Sequence, residues 1–441
     1  MSIGPRVVAT HARRLFTIQA LTLASTGVSA TLASIVMLRL TGAAWAVSLP
    51  SAVMQLTGAL AAVPAGRMMD RRGRRPGIAL AMILGAVAFT LAAAGDGLGS
   101  LLLFGVGVVV AGVANGIAQL VRSAASDLYP PALRARGVGR VVAGGAVGAV
   151  VGPLLVPALA PLAGDVDRLT TVLPWMAAAV LYLVGLGLAV GLRPDPRDIG
   201  RLLAQGGDDA GTPGASGPSS TAEQASSGGV MPRSPAVLFR LAPVRAASLT
   251  HVVMQAVMAL VMAAGSAVMS LHGHALGTIS VIMTAHFLGM FAFAGPIGGL
   301  CDRIGRRPVL ALGSLVTALG GVVFPLSLAN SLIAGAAFTA VGLGWSLAFV
   351  AATAVLTDVA QPEERSALLG SNDLLTRMGA VVGSLASGTV FALGGPAVTG
   401  LIVLAASLAP LPWVLRLREP APGRYAGVDG VPGHTPVQGR A

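Results

Sequence analysis

The chain contains twelve apolar segments of about 20 residues, separated by short breaks that are charged or rich in Gly and Pro. Such a segment, rising about 1.5 Å per residue as a helix, crosses the roughly 30 Å hydrocarbon core of a bilayer. Inside a bilayer the chain must satisfy its own backbone hydrogen bonds, so every segment is predicted to be helical. The segments lie near 15–38, 46–66, 77–95, 100–122, 138–160, 172–192, 246–270, 276–299, 308–329, 331–355, 368–392 and 397–415. The predicted fold class is therefore an all-α membrane protein with twelve transmembrane helices.

Composition agrees with this class. Only 10% of the residues are charged and 54% are hydrophobic, whereas a soluble domain carries roughly 25% charged residues. The single cysteine, Cys301, excludes a disulfide within the chain. Arg13 and Arg14 precede an apolar run that is too long for a signal peptide, so we expect the first span to be retained.

The arginines predict the orientation. All 29 basic residues are arginine. If the N-terminus is cytoplasmic and the spans alternate, 25 arginines fall on the cytoplasmic side and only Arg39 and Arg168 on the other, while Arg122 and Arg377 lie within helices. An excess of arginine is typical of the cytoplasmic side of a membrane protein. It predicts a multi-pass protein of the bacterial inner (plasma) membrane with both termini in the cytoplasm. It also explains the net charge of +12 without a nucleic-acid partner.

The centre of the chain changes in character. Residues 206–235 are rich in Gly, Ser, Ala and Pro and show no apolar period, which is typical of a flexible linker. The predicted organisation is an N-terminal six-helix bundle (1–205), a cytoplasmic linker (206–235), a C-terminal six-helix bundle (236–419) and a disordered cytoplasmic tail (420–441).

The two bundles carry the same features in the same order. The stretch GRMMDRRGRRP at 66–76 recurs as GGLCDRIGRRP at 298–308, 232 residues later. Asp127 is matched by Asp358 at an offset of 231. A Gly-xxx-Gly pair on the fifth span recurs at the same offset of 231 on the eleventh, as Gly148 and Gly152 against Gly379 and Gly383. Such repetition indicates a duplicated six-helix unit.

The doubled Gly-xxx-Asp-Arg-x-Gly-Arg-Arg pattern resembles the signature of the major facilitator superfamily. The resemblance implies two six-helix bundles related by a pseudo-two-fold axis, with substrate bound between them and alternating access by rocking. It also implies a cytoplasmic gate in which Asp70 meets the start of the eleventh helix and Arg74 reaches Asp127. The full gate set is Gly66, Asp70, Arg71, Gly73, Arg74 and Asp127, with Gly298, Asp302, Arg303, Gly305, Arg306 and Asp358 as its counterpart.

Two charged groups extend this gate. Asp373 and Arg377 are four residues apart on the eleventh helix, so they share a face and are predicted to form a gate pair near its inner end; a substrate site is the alternative. For Arg71 the alternative is that it only anchors the topology.

Two further features bear on direction and energy coupling. Gly139, Gly148, Gly152 and Pro153 resemble the fifth-helix motif of drug:proton antiporters, which implies efflux; ordinary packing of small residues is the alternative. The arginine that such antiporters often carry on the fourth helix is replaced here by Gly112. His286 lies near mid-membrane and is a candidate for proton coupling, because imidazole titrates near neutral pH. A neutral histidine hydrogen-bonded between helices is its alternative.

The resemblance implies that helices one, four, seven and ten line the substrate cavity. Its candidate residues are Gln19, Thr22, Asn115, Gln119, Met254, Gln255, Met258, Met262, Trp345 and Phe349. Methionine and aromatic side chains suit apolar or amphipathic ligands. The function predicted is monomeric secondary transport of such a small molecule, as proton-coupled efflux. An uptake carrier or uniporter is the alternative, and a receptor or scaffold is the alternative from another class. No nucleotide motif, metal cluster or nucleophile is evident, so neither an enzyme nor a cofactor is expected.

Overall fold

In the computed structural model the described residues are 5–129, 134–164, 166, 168–208, 233–328, 330–361 and 364–417. Within them the chain is helical almost throughout. The helices of the first half are α1 (Pro5–Thr41), α2 (Leu49–Arg72), α3 (Arg74–Leu98), α4 (Leu101–Ala118), α5 (Val121–Asp127), α6 (Arg134–Leu159), α7 (Leu169–Val190) and α8 (Pro196–Asp208). Those of the second half are α9 (Pro235–Leu238), α10 (Ala242–Leu271), α11 (Leu276–Phe291), α12 (Ala294–Ile304), α13 (Arg306–Val323), α14 (Ser331–Val359), α15 (Arg365–Leu408) and α16 (Leu411–Leu415).

The described chain has eleven apolar helical stretches long enough to cross a membrane, and one of them contains two of the twelve predicted spans. One stretch, Ala367–Leu415, has 49 residues, about twice what a bilayer needs. Its helical backbone breaks at Gly395, which has φ 63° and is followed by Pro396, so α15 contains the eleventh span and most of the twelfth. The fourth span is α4 with α5, and the eighth is α11 with α12. The predicted all-α class with twelve spans is confirmed.

The two halves are built alike. α1 packs along α6 in the first half, and α10 packs along α15 in the second. In each case a glycine allows the contact: a Cβ at Gly148 would overlap the carbonyl oxygen of Ala20, and one at Gly383 that of Ala256. Of the predicted linker, 209–232 lies outside the described residues, as do the tail 420–441 and the segment 130–133.

The halves touch at one end of the molecule. The arginine-rich end carries the loops α2–α3 and α12–α13; the opposite end carries the turn between α1 and α2. All four hydrogen bonds between the described parts of the halves lie toward the opposite end. They are Ser266 Oγ to Ala30 O (3.1 Å), Ala267 N to Ser34 Oγ (3.1 Å), Ser51 Oγ with Ser384 Oγ (3.2 Å) and Gly388 N to Ser48 Oγ (3.1 Å). No described hydrogen bond or ion pair joins the halves at the arginine-rich end.

Candidate functional site

The loop between α2 and α3 is fixed by residues that follow the sixth span. Gly73 has φ 107°, a conformation that favours glycine, and a Cβ there would collide with the Asp195 carboxylate. Asp195 accepts hydrogen bonds from the backbone N–H groups of Arg74 (3.0 Å) and Arg75 (2.9 Å), which are otherwise unpaired at the start of α3. Arg197 donates to the carbonyl oxygens of Asp70 (3.0 Å) and Arg71 (2.9 Å) at the end of α2. The sequence analysis missed Asp195 and Arg197, although both stand in the short charged stretch RPDPRD.

Within this frame the charged motif residues pair along one half. Arg74 Nε donates to Asp127 Oδ2 (2.8 Å), and Arg74 Nη1 donates to Asp70 Oδ1 (2.7 Å). The side chain therefore holds the end of the fourth span against the start of the third. The second half repeats the arrangement, with Arg306 at 3.1 Å from Asp358 and 3.5 Å from Asp302, beside Gly305 at φ 94°.

In the described chain Asp70 makes no contact with the eleventh helix, contrary to the expectation. The side chains of Asp70 and Asp302 are 67% and 75% exposed, and among the described residues each pairs only with the arginine of its own loop. Nothing lies within 4 Å of a Cβ built at Gly66 or at Gly298, so neither glycine serves a close helix approach here. Arg71 and Arg303 are exposed and, in the described chain, form no ion pair. The physical reason is that the halves are apart at this end.

A cavity of about 170 Å³ lies between the halves, toward the opposite end. Its wall is mostly apolar with a few hydroxyl and amide groups, and its lining includes Thr26, Ser29, Ser51, Gln55, Asn115, Met258, Met262, Phe287 and Met290. Three predicted cavity residues, Asn115, Met258 and Met262, are in this wall. Such a surface accepts an apolar ligand and offers it a few hydrogen bonds.

An aromatic cluster adjoins the cavity on the second half. The rings of Trp345 and Phe349 stack with centroids 5.0 Å apart, and Phe291 meets Trp345 edge-on at 6.3 Å. Trp345 Nε1 donates to Gln255 Oε1 (2.8 Å), which fixes the indole relative to α10. Phe349 also meets the ring of His251 edge-on at 5.2 Å. The predicted set Gln255, Trp345 and Phe349 is thus brought together on two helices.

The first half presents polar groups instead. Asn115 Nδ2 donates to Thr26 Oγ1 (3.3 Å), and Gln119 Nε2 donates to Asn115 Oδ1 (3.3 Å). Arg122 Nη2 donates to Gln119 Oε1 (3.1 Å). These hydrogen bonds form a chain, here called the amide ladder (Thr26, Asn115, Gln119, Arg122), which runs from the cavity toward the arginine-rich end.

Three predicted cavity residues lie elsewhere. Gln19, Thr22 and Met254 are 7%, 3% and 0% exposed and do not line the cavity. Thr22 donates to the carbonyl oxygen of Ile18 on its own helix (2.9 Å). The reason is that α1 and α10 each pack along a second helix, so only part of each helix surface faces the cavity.

His286 is fully buried between α11 and α14. Its Nδ1 donates a hydrogen bond to the carbonyl oxygen of Phe338 (2.7 Å). This geometry agrees with the alternative interpretation, a histidine hydrogen-bonded between helices. A second intramembrane histidine, His251, was not singled out from the sequence. Its Nδ1 accepts a hydrogen bond from Asn372 on α15 (2.9 Å). Its position one turn before Gln255 on α10 was the available signal.

Asp373 and Arg377 share a face of α15 but do not come within ion-pair distance. Of the antiporter-like motif, Gly148 and Gly152 pack against the α1 backbone at Ala20 and Ala24, Pro153 lies against Gly27 of the same helix, and Gly139 faces open space. The second half has the same glycine packing, at Gly379 and Gly383, which agrees with the alternative of ordinary packing between small residues. A Cβ at Gly112 would lie 2.7 Å from the carbonyl oxygen of Met54, which leaves no room there for an arginine.

The comparisons with known proteins agree with this architecture. The family model described as Major Facilitator Superfamily matches residues 15–270 and 246–439. This chain belongs to the major facilitator superfamily. It is 30% identical over 428 residues to the riboflavin transporter RfnT of Brucella anthropi, covering 93% of this chain and 97% of that protein. It is 28% identical to the uncharacterized MFS-type transporter YdeG of Bacillus subtilis, covering 78% and 77% of the two chains.

The fold is shared with solved transporters of this superfamily. A D-xylose-proton symporter superposes with a TM-score of 0.70 at 14% identity, covering 93% of this chain and 96% of that one. A peptide transporter of the POT family in complex with sulfate gives a TM-score of 0.64 at 14% identity, covering 94% and 97%. The chain is therefore a multi-pass membrane transporter and not an enzyme. The narrower resemblance to drug:proton antiporters is not confirmed.

Proposed function

We propose that this superfamily member is a secondary active transporter that exports an apolar or amphipathic small molecule, driven by proton antiport, from the bacterial cytoplasm. The observation that carries the proposal is the cavity between the halves, with methionines in its wall and the aromatic cluster beside it. The arginine count supports a cytoplasmic location for the arginine-rich end. In the described chain the hydrogen bonds between the halves lie only toward the opposite end, which supports access to the cavity from the cytoplasm, where an exporter loads its substrate.

The character of the substrate follows from the wall. Methionine side chains adapt to varied apolar shapes, and the Trp345–Phe349 pair offers a flat stacking surface. The similarity to a riboflavin transporter supports a planar aromatic ring system as the transported body. We therefore place flavins and other fused-ring compounds first among the candidates.

The gate acts in the other state of the cycle. When the halves close at the arginine-rich end, the exposed Asp70 carboxylate approaches the start of α15, whose positive dipole end favours an acidic partner. Arg74 holds Asp70 in place through its 2.7 Å hydrogen bond. Asp302 and Arg306 play the same part for the second half.

The test is accumulation of lipophilic dyes and of riboflavin in efflux-deficient bacteria that express the chain. We expect expression of the chain to lower the accumulation of these compounds. A protonophore should abolish this decrease, and so should Asp70→Asn at equal membrane levels of the protein. Asp198→Asn is the matched control, because that carboxylate is 51% exposed and lies 3.7 Å from Arg197, beyond hydrogen-bond distance. Raised accumulation that the protonophore abolishes would establish uptake instead. No change for any compound would overturn the proposal.

A further inference from the structure

The lining of the cavity between the halves is divided by chemistry. Its hydroxyl and amide groups all belong to the first half, on α1, α2 and α4; they are Thr26, Ser29, Ser34, Ser51, Gln55 and Asn115. The second half contributes only apolar side chains, among them Met258, Met262 and Phe287. Within the described chain, no charged residue lines the cavity. Side chains of the first half alone therefore offer hydrogen bonds to a bound molecule.

One of these polar groups is unused. Four of the others already make hydrogen bonds within the protein, namely Thr26, Ser34, Ser51 and Asn115. The hydroxyl of Ser29 reaches only the sulfur atom of Met54, at 3.5 Å. The side-chain amide of Gln55 makes no hydrogen bond with any residue that the structure describes. Its acceptor oxygen and its N–H donors are therefore all available to a ligand.

Gln55 lies at the end of the cavity nearest the contacts between the halves. It follows Ser51 by one helical turn on the same face of α2. Ser51 Oγ is 3.2 Å from Ser384 Oγ of the second half, so this face of α2 is turned toward the second half. α2 runs toward the arginine-rich end, so Gln55 comes one turn beyond this contact, where the cavity begins.

The apolar side chains of the second half continue from the cavity into the aromatic cluster. Phe287 in the cavity wall stacks with Phe291 at a centroid distance of 6.5 Å, and Phe291 meets Trp345 edge-on at 6.3 Å. Met258 and Met262 pack in the same apolar cluster. A planar ring system with a polar edge at Gln55 therefore finds an apolar and aromatic surface for the rest of its body.

The chemistry of a free primary amide selects the ligand. A glutamine side chain holds an acceptor oxygen beside N–H donors, so it forms two hydrogen bonds with a group that presents a donor next to an acceptor. An ionised group would be costly to desolvate, because this lining holds no opposite charge. A neutral ring amide, in which an N–H is next to a C=O, meets both conditions.

We propose that Gln55 determines specificity by binding the ring N–H and the adjacent C=O of an uncharged lactam or imide. The planar body of this molecule lies against Met258, Met262 and Phe287. The inference rests on the proposed function, because it names the substrate class of the same cavity. Flavins, which we placed first among the candidate substrates, carry an imide of this kind.

The test uses the purified full-length protein in detergent and two imides, lumiflavin and 1,8-naphthalimide. Each is compared with its N-methylated form, 3-methyllumiflavin or N-methyl-1,8-naphthalimide, which lacks the N–H donor and keeps the ring system. Dissociation constants come from ligand-dependent shifts of the melting temperature. In at least one pair we expect the imide to bind at least about fivefold more tightly, the ratio predicted for loss of one neutral hydrogen bond.

Gln55→Met replaces the amide with an apolar side chain of similar length. It should reduce the preference for the imide to about twofold or less, mainly through weaker binding of the imide. Because the Gln55 amide has no partner among the described residues, the ligand-free melting temperature should be equal to or above that of the wild type. Gln361→Met changes an exposed amide outside the cavity, so it is the matched control and should keep the preference.

Equal binding within both pairs, or no binding of either imide, would overturn the inference. So would a preference that survives Gln55→Met, or a lower ligand-free melting temperature for this variant, which would assign the amide to packing. Dye export by the wild type is measured separately. Export without a preference for the imide leaves the proposed function standing and removes only this inference.

Discussion

The fourth and tenth spans occupy equivalent places in the two halves, yet they present opposite chemistry to the cavity. In each span a glycine packs against an earlier helix of its own half: Gly112 against α2 and Gly342 against α11. Three and seven residues later come Asn115 and Gln119 in the first half, and Trp345 and Phe349 in the second. The duplicated scaffold keeps its packing residues, whereas the positions at and beside the cavity form an amide wall (Asn115, Gln119) in the first half and an aromatic wall (Trp345, Phe349) in the second. The proposed substrate site is therefore built where the halves differ.

The halves also differ in how they hold the ends of the central linker. Before it, Asp195 and Arg197 fasten the chain to the α2–α3 loop of the first half. After it, Arg233 is bound by Glu364, which accepts hydrogen bonds from its backbone N (2.8 Å) and its Nε (2.9 Å) in the second half. Each end is tied to its own half and none to the other. This arrangement is compatible with the rocking of the halves that the family resemblance implies.

The largest effect is expected where the halves are alike. Gly148→Val and Gly383→Val each place a branched side chain against the carbonyl oxygen of a tightly packed helix, of Ala20 and Ala256 respectively. Backbone cannot move aside easily, so each variant should lose about 3 kcal/mol or more of stability. Fluorescence-detected size exclusion should show little monodisperse protein.

Gly139→Ala belongs to the same sequence motif but faces open space, so it serves as the control and should behave as wild type. If one half tolerated valine and the other did not, the structural equivalence of the two helix pairs would be wrong.

A smaller loss of stability is expected from the contact that fastens the chain before the linker to the first half. Asp195→Ala removes the acceptor of three backbone N–H groups, those of Arg74, Arg75 and Arg197 at 2.9–3.0 Å. We expect a loss of about 2 kcal/mol, seen as a lower melting temperature, together with reduced transport because the loop that carries Asp70 is released. Asp198→Ala changes a neighbouring exposed carboxylate and should have almost no effect. Equal effects of the two substitutions would contradict the role of Asp195.

The corresponding contact of the second half should show a pH signature. Hydrogen bonds from Arg233 lower the pKa of Glu364 from its ordinary 4.5 to about 2. A carboxylate with a depressed pKa stabilises the fold above its ordinary pKa, and the contribution is lost as the pH falls from 4.5 toward 2. Glu364→Gln should therefore cost about 1.5 kcal/mol at pH 7, and the cost should shrink only below pH 4.5. Melting temperatures of both proteins across pH 7 to 3 measure this. A difference that vanished already near pH 6 would argue against the pair.

Recognition should respond more modestly. Gln255→Leu removes the acceptor of Trp345 Nε1 and frees the indole of the aromatic wall. Loss of one neutral hydrogen bond is worth about 1 kcal/mol, so apparent affinity for an aromatic dye should fall about fivefold with folding unchanged. Gln119→Leu on the amide wall should leave the binding of a neutral dye closer to wild type. A larger loss of affinity for Gln119→Leu than for Gln255→Leu would indicate that the aromatic dye binds against the amide wall.

The sequence predicted much of this molecule because its strongest signals are local or repeated. Span length, arginine distribution and the doubled motif required no knowledge of packing, and the pairing of Arg74 with Asp127 followed from the family resemblance. Asp195 was missed because its partners are backbone groups 120 residues away, which leave no trace in composition. Gln19 and Met254 were assigned to the cavity because they lie on helices that the resemblance predicts to line it. Each of these helices also has a face buried against a neighbouring helix, and the packing of α6 and α15 decides which residues lie on that face.

The smallest effect concerns His286. Its Nδ1 bonds a backbone oxygen of the neighbouring helix, and its ring is enclosed by Phe287 and Phe338. A group shut off from both the cavity and water has no route for proton exchange, so we expect His286→Gln, which retains an N–H donor, to keep proton-driven transport and its pH dependence within about twofold. Dye efflux from proteoliposomes under an imposed pH gradient measures this. Loss of the gradient response in a folded His286→Gln variant would make His286 the coupling group. The second half would then carry both the aromatic wall and the proton site, and the first would supply only polar contacts to the substrate.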